Sequence, residues 1–284
     1  MFEYKKLYVD SELYPNHLRA IENAPKMLYY IGNIELIRKP LYAIVGTRRA
    51  SPYGLWVARE ISKKIAGCGI PVVSGMAEGI DSQAHRGCLD AGTPTVAVLG
   101  TGIDVPFPKS NTELYYRIAG EGLILSEYGP GVTGHKQNFP ARNRIISGLS
   151  KAVIVAEGAF KSGSMITAGL ALAQNRDVYA VPGNINQPNS TGVNSLIADG
   201  AYPIISMDDV LETLGIVGNQ IEMAISNANP QELKLMEHIK LNPGITAAEI
   251  AQDLYEGIST VLSMLCRLEL KGIIRSEGGR YYFT

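Results

Sequence analysis

Leu41-Tyr42-Ala43-Ile44-Val45-Gly46-Thr47-Arg48-Arg49-Ala50-Ser51-Pro52-Tyr53-Gly54 decides the fold. Its first five residues are apolar without alternation, as in a strand covered on both faces. Gly46 ends that strand. Ser51 is suited to cap a helix and Pro52 to occupy its first position. Apolar residues then recur at Leu55, Val57, Ala58, Ile61 and Ile65, a helical spacing. Strand, glycine turn and helix are thus written into the 25 residues from Leu41 to Ile65.

The same unit repeats outward. Strands are predicted at 71–74, 95–99, 123–125, 152–155 and 177–181. Helices are predicted at 82–91, 111–119, 142–149 and 164–174. Short apolar runs alternating with amphipathic helices predict an α/β fold: an extended Rossmann-like, mostly parallel sheet with helices on both faces. Gly46, Gly75, Gly100, Gly158 and Gly183 fall at strand ends, where such sheets bind ligands. Residues 1–40 read as a lead-in of short helices packed on this domain, which covers 41–215. Residues 216–229, with Gly218, Asn219, Ser226, Asn227 and Asn229, read as a linker. Residues 230–284 hold three helical patterns and a hairpin around Gly278-Gly279, a small winged helix-turn-helix domain.

The chain has 284 residues, 46% hydrophobic and 19% charged, with net charge −1. That composition is of a globular protein, and no apolar run approaches the ~20 residues of a membrane span. The start of the chain lacks the apolar core of a secretion signal, and the three cysteines are isolated. A cytoplasmic protein without disulfides, metal or cofactor is expected.

Charge is uneven. No acidic residue lies between Glu35 and Glu60, where Arg38, Lys39, Arg48, Arg49 and Arg59 do. None lies between Glu127 and Glu157, where Lys136, Arg142, Arg144 and Lys151 do. Two acid-free windows form one positive groove if the fold joins them. The second window contains Phe139-Pro140-Ala141-Arg142-Asn143-Arg144, an aromatic beside cations where a loop enters a helix. A single-stranded nucleic acid needs that combination, with the ring stacking a base while cations and a helix N-terminus hold phosphates. On a helix of about 3.6 residues per turn, Arg142, Asn143 and Arg144 cannot all face outward, so some of them brace loops. Two further loops are candidate anion cradles: Arg48 to Ser51, and Ser162-Gly163-Ser164 before a helix.

Other constellations read as structural. Glu78, Asp81 and His85 could serve as acid and base, but Asp81 fits a helix cap and His85 its helix. Gly183-Asn184 and Ser190 to Ser195 fit turn chemistry. No Walker A motif or complete dinucleotide fingerprint is present. The small domain has six basic against eight acidic side chains from Glu222 onward. Its would-be recognition helix carries Arg267 alone, which argues for a protein contact rather than duplex reading.

The ordered set Val45-Gly46-x-Arg48-x-x-Ser51-x-Tyr53-Gly54, Ser74-Gly75-x-Ala77-x-Gly79-Ile80-Asp81, Phe139-Pro140-x-Arg142-Asn143-Arg144-Ile145-Ile146-x-Gly148-Leu149-Ser150, Ser162-Gly163-Ser164-x-x-Thr167-Ala168 and Pro182-Gly183 resembles the DNA-processing protein DprA (Smf) family. It departs at Phe107-Pro108, where Tyr-Pro is expected, and the helical domain of longer members is reduced to about 40 residues. The resemblance implies a bacterial protein that binds incoming single-stranded DNA during natural transformation. It also implies action against single-strand-binding protein, help in loading RecA recombinase, and a homodimer. Family DNA contacts map to Arg48, Lys136 and Phe139. Ser51, Arg142, Asn143, Arg144, Gly163 and Ser164 complete the candidate DNA-binding set, with no catalytic residue. Leu196, Ile197, Val210, Leu211 and Leu214 are candidates for either a dimer face or core. The alternative from another class is a Rossmann-like enzyme that binds or hydrolyses nucleotides. Its Pro-Gly-Gly-x-Gly-Thr signature is missing from Glu157 to Ser164.

Overall fold

A computed structural model of the chain describes residues 2–216, 229–270 and 272–283. It divides into two compact units, Met1–Val210 and Leu211–Thr284. The expected linker falls almost wholly on residues 217–228, outside the described ones.

The first unit is built on nine strands: β1 (Lys5–Tyr8), β2 (Met27–Gly32), β3 (Tyr42–Gly46), β4 (Val72–Ser74), β5 (Val96–Gly102), β6 (Leu123–Tyr128), β7 (Ala152–Glu157), β8 (Asp177–Ala180) and β9 (Tyr202–Pro203). Their spatial order is β1-β2-β6-β5-β4-β3-β7-β8-β9. Pairing is parallel from β6 through β9 and antiparallel at β1/β2 and β2/β6. Residues 1–40 therefore do more than the predicted lead-in. Besides the short helix α1 (Asn16–Arg19) they supply two strands. Leu28 and Ile31 are buried on β2, whose irregular burial hides the period of two that marks a strand.

Seven further helices follow: α2 (Pro52–Gly67), α3 (Ile80–Asp90), α4 (Thr112–Glu121), α5 (Asn138–Leu149), α6 (Gly163–Ala173), α7 (Thr191–Ala198) and α8 (Val210–Thr213). Val73, Val96, Val98, Val153 and Val155 pack on one face with Ile145, Ile146 and Leu149 of α5 and Ala168 and Ala171 of α6. Ala97, Leu99 and Ile124 pack on the other with Leu89 of α3 and Leu114 and Ile118 of α4. Strands buried on both faces explain the unbroken apolar runs. Helix α2 lies close against α3, because a Cβ on Gly87 would come 2.4 Å from the carbonyl oxygen of Arg59. Ser51 caps α2, its Oγ accepting from Gly54 N at 3.1 Å. Asp81 is not the cap of α3. That place is taken by Gly79, at φ 75°, and the Asp81 carboxylate accepts from Ala77 N.

Among the proposed dimer-face residues, Val210 and Leu214 are buried. Leu196 and Ile197 pack half-buried on the core. No helix among the described residues is long and apolar enough to cross a membrane, and no group of three potential metal ligands occurs among them.

His85 is fully buried on α3. Its Nδ1 lies 2.9 Å from Thr95 Oγ1, and its Nε2 has no partner among the described residues. Burial pushes its pKa down from 6.5 to about 3, with the Arg142 charge adding to the effect. The unfolded chain thus takes up a proton that the folded chain refuses. The stability contributed by neutral His85 is complete above pH 6.5 and is lost progressively between 6.5 and 3. The slope approaches about 1.4 kcal/mol per pH unit. Unfolding free energies measured over this range should fall more steeply for wild type than for His85→Asn. Parallel curves would contradict this assignment.

The second unit holds helices Pro230–Leu241, Ala247–Asp253 and Ile258–Leu270 and a three-stranded antiparallel sheet ordered Ile245–Thr246, Arg280–Phe283, Ile274–Glu277. Leu235, Ile239, Ile250, Val261, Leu265, Leu268 and Ile273 form its core. Thr246 and Glu249 make the capping box read from the sequence, and Asn229 with Glu232 makes another. Gly278 and Gly279, both at positive φ, close the hairpin as a two-residue turn requires.

Candidate nucleic-acid interface

Strand order reverses between β3 and β7. Successive strands run one way from β3 to β6 and the other way from β7 to β9. A crevice opens at the carboxyl ends of strands at such a reversal. Here it is a cavity of about 590 Å³ lined by Arg48, Arg49, Lys136, Phe139, Asn143 and the Ser162 to Ser164 turn, with Asp81 and Arg142 below. The two acid-free windows meet in it.

Gly46 makes the meeting possible. A Cβ there would come 2.4 Å from the Ile80 side chain and 2.6 Å from the Glu157 carbonyl oxygen, so only glycine lets β3 end against both. The next residues form an exposed loop carrying Arg48 and Arg49. The Arg48 guanidinium lies 5.3 Å from the centre of the Phe139 ring. Phe107 approaches the same ring, with centroids 5.3 Å apart and planes at 32°. The Phe139 ring lies so close over Gly100 that a Cβ there would stand 2.7 Å from its Cδ1. The ring is therefore fixed between a cation and a second aromatic, half-buried at the start of α5. Lys136 is exposed on the loop before it. On the far wall, Ser162 Oγ and Ser164 Oγ are 2.6 Å apart at the N-terminus of α6, whose first N–H groups have no helical partner. Asn143 joins the walls, its Nδ2 donating to Gly163 O at 3.4 Å.

Three of the candidate DNA contacts are engaged by other protein groups. Arg142 is 4% exposed; its guanidinium donates to the carbonyls of Gly75 and Val98, and Nε donates to Asn143 Oδ1. It ties the end of β4 to β5 from inside. Burial lowers its pKa to about 10, with the Asp81 carboxylate opposing that shift, so it stays cationic at neutral pH. Burial likewise raises the Asp81 carboxyl, with Arg142 opposing. Arg144 turns to another side of α5, where its Nη2 donates to both carboxylate oxygens of Glu127, at 2.7 and 2.8 Å. Ser51 is occupied by capping, and its N and Oγ donate to Glu157 Oε2, each at 3.0 Å. The Glu157 carboxylate thus sits where an anion would sit at the start of α2. By contrast Arg48, Lys136, Phe139, Asn143, Gly163 and Ser164 are brought together in the crevice.

Sequence reading missed Phe107 as a ring partner and Asn189 as a lining residue. The Phe107-Pro108 pair was visible as a departure from the family motif. Nothing local marks Asn189, whose Nδ2 donates to Arg49 O across 140 residues at 2.8 Å. The acid–base alternative finds no assembled site, since His85 is sealed in the core, Asp81 is held by Ala77 and Arg142, and Glu78 accepts from Ser110 Oγ.

The family model for DNA recombination-mediator protein A matches residues 5–215. DNA processing protein DprA of Streptococcus pneumoniae is 46% identical over 202 residues, 70% of this chain and 71% of that one. The X-ray structure of that organism's DprA superposes with a TM-score of 0.71 at 42% identity, covering 74% of each chain. DNA processing protein A of Helicobacter pylori, for which a single-stranded DNA-binding mode is described, superposes with a TM-score of 0.69 at 33% identity, covering 75% of this chain and 96% of that one. With the motifs that carried the resemblance gathered at one sheet edge, and the match spanning the whole of that sheet, the chain belongs to the DNA recombination-mediator protein A (DprA/Smf) family.

Proposed function

We propose that this protein binds single-stranded DNA in the crevice between β3 and β7 and acts in homologous recombination of DNA taken up by natural transformation. The Phe139 ring carries the reading. It is held between Arg48 and Phe107, recessed beside Lys136 and the start of α6. A recessed ring can stack on a base that is free to leave its neighbours, whereas a duplex keeps its bases inside. Phe139 then stacks one base, and Arg48, Lys136 and the Gly163-Ser164 turn hold phosphates. Asn143 sets the distance between the walls. Arg142 supports the floor. The H. pylori relative's single-strand binding supports the same reading.

Protection of the strand against single-strand-binding protein, loading of RecA recombinase, a homodimeric state and a cytoplasmic location complete the proposal and rest on the family. The role is binding rather than catalysis, which the sealed His85 and the engaged Asp81 and Glu157 carboxylates favour. The C-terminal unit is proposed as a winged helix that contacts protein. Tyr255, Ile258 and Leu262 are exposed there where a duplex reader would carry cations.

If about four phosphates are engaged, log K should fall against log salt with a slope near −3, from about 0.7 per phosphate on a single strand. Fluorescence anisotropy of a labelled oligonucleotide between low and moderate salt measures this. A slope near zero would contradict a phosphate-holding crevice.

A further inference from the structure

A second cavity, of about 820 Å³, opens beside the crevice at the carboxyl ends of β7 and β8, walled by Tyr53, Glu157, Pro182, Asn184 and Gln187. This is within the ~300–1,000 Å³ of ligand sites. Asn189 lines both cavities. Its Nδ2 holds the carbonyl of Arg49, and its own carbonyl accepts from Gly158 N at 2.9 Å. The two spaces are therefore neighbours across one side chain, with the exposed Arg49 at the lip.

The lining indicates the occupant. Among the described residues no cation lines it, and Glu157 fills the N-terminus of α2 with a carboxylate. A phosphate would meet like charge there. A nucleobase would not. Asn184 and Gln187 offer amide donors and acceptors to a base edge. Tyr53 is 49% exposed, with its ring 6.3 Å from that of Trp56, itself 52% exposed. An exposed ring in the wall of this cavity, with a second ring beside it, suits stacking by a base.

We propose that a single strand seated on Phe139 continues past Arg49, which holds the intervening phosphate, and places a further base in this second cavity against Tyr53. Asn184 and Gln187 then meet the edge of that base with their side-chain amides. The inference rests on the single-stranded DNA reading of the first crevice.

The test is binding of oligo-dT and oligo-dC in a length series, read by anisotropy and by the emission of Trp56, the only tryptophan in the sequence. Phe139→Ala should weaken every length. Tyr53→Ala should keep wild-type affinity for the shortest bound oligonucleotides and lose about tenfold for longer ones, with Tyr53→Phe restoring it. Long oligonucleotides should quench Trp56 where the shortest do not. Equal binding by wild type and Tyr53→Ala at every length, with unchanged Trp56 emission, overturns the second site and leaves the first standing. Absence of wild-type binding at any length overturns both.

Discussion

Phe139→Ala should reduce affinity for single-stranded oligonucleotides by about five- to 150-fold, the equivalent of about 1–3 kcal/mol for a lost base–aromatic stack. The upper half of that range is expected, because the ring is immobilised before any DNA arrives. Gly100 lets the ring approach the end of β5 closely, Phe107 lies beside it with planes tilted by 32°, and the Arg48 guanidinium lies 5.3 Å from its centre. A ring already ordered has little rotamer freedom left to lose on binding. Phe139→Tyr should retain most of the affinity, because the face that stacks is unchanged. Equilibrium anisotropy on folded variants makes the comparison. Full binding by Phe139→Ala would remove the stacking platform from the account.

Arg142→Ala should be the most destabilising single change at the site, by about 3–5 kcal/mol. That is a large share of the ~5–15 kcal/mol that holds a domain folded. The substitution strips a buried cation from Asp81, itself buried, and removes the Arg142 donor from the carbonyls of Gly75 and Val98. Arg142→Lys keeps the charge but not the planar fork that reaches two carbonyls, so its loss should be intermediate. Urea unfolding followed by circular dichroism distinguishes the roles. An Arg142→Ala protein as stable as wild type, yet unable to bind DNA, would return Arg142 to the strand-contacting set and contradict its bracing role.

The opposite roles of Arg142 and Arg144 show where sequence reading ends. That both could not face a ligand follows from helical period alone. Which one turns inward depends on the side of α5 that meets the sheet, and that is fixed by Ile145, Ile146 and Leu149 packing on Val98 and Val153. Ser51 is a similar case. Its capping role was legible from Ser-Pro at a helix start. Its bond to Glu157 spans 106 residues and exists only because β3 and β7 pair in parallel. Arg48, Lys136 and Phe139 were legible because loops at strand ends carry them and few local alternatives exist for an aromatic among cations. The strands β1 and β2 were not, since they join the sheet antiparallel at its edge, outside the strand–helix alternation that marks the rest.

The most direct test of the central claim compares a fluorescent single-stranded oligonucleotide with its matched duplex, titrated over a salt series against wild type, Arg48→Ala, Lys136→Ala and Phe139→Ala. The account predicts a strong preference for the single strand, affinity that falls with salt, and weakened binding in all three variants, with a shallower salt slope for Arg48→Ala and Lys136→Ala than for Phe139→Ala. Equal affinity for duplex and single strand, or wild-type binding by all three folded variants, would contradict it.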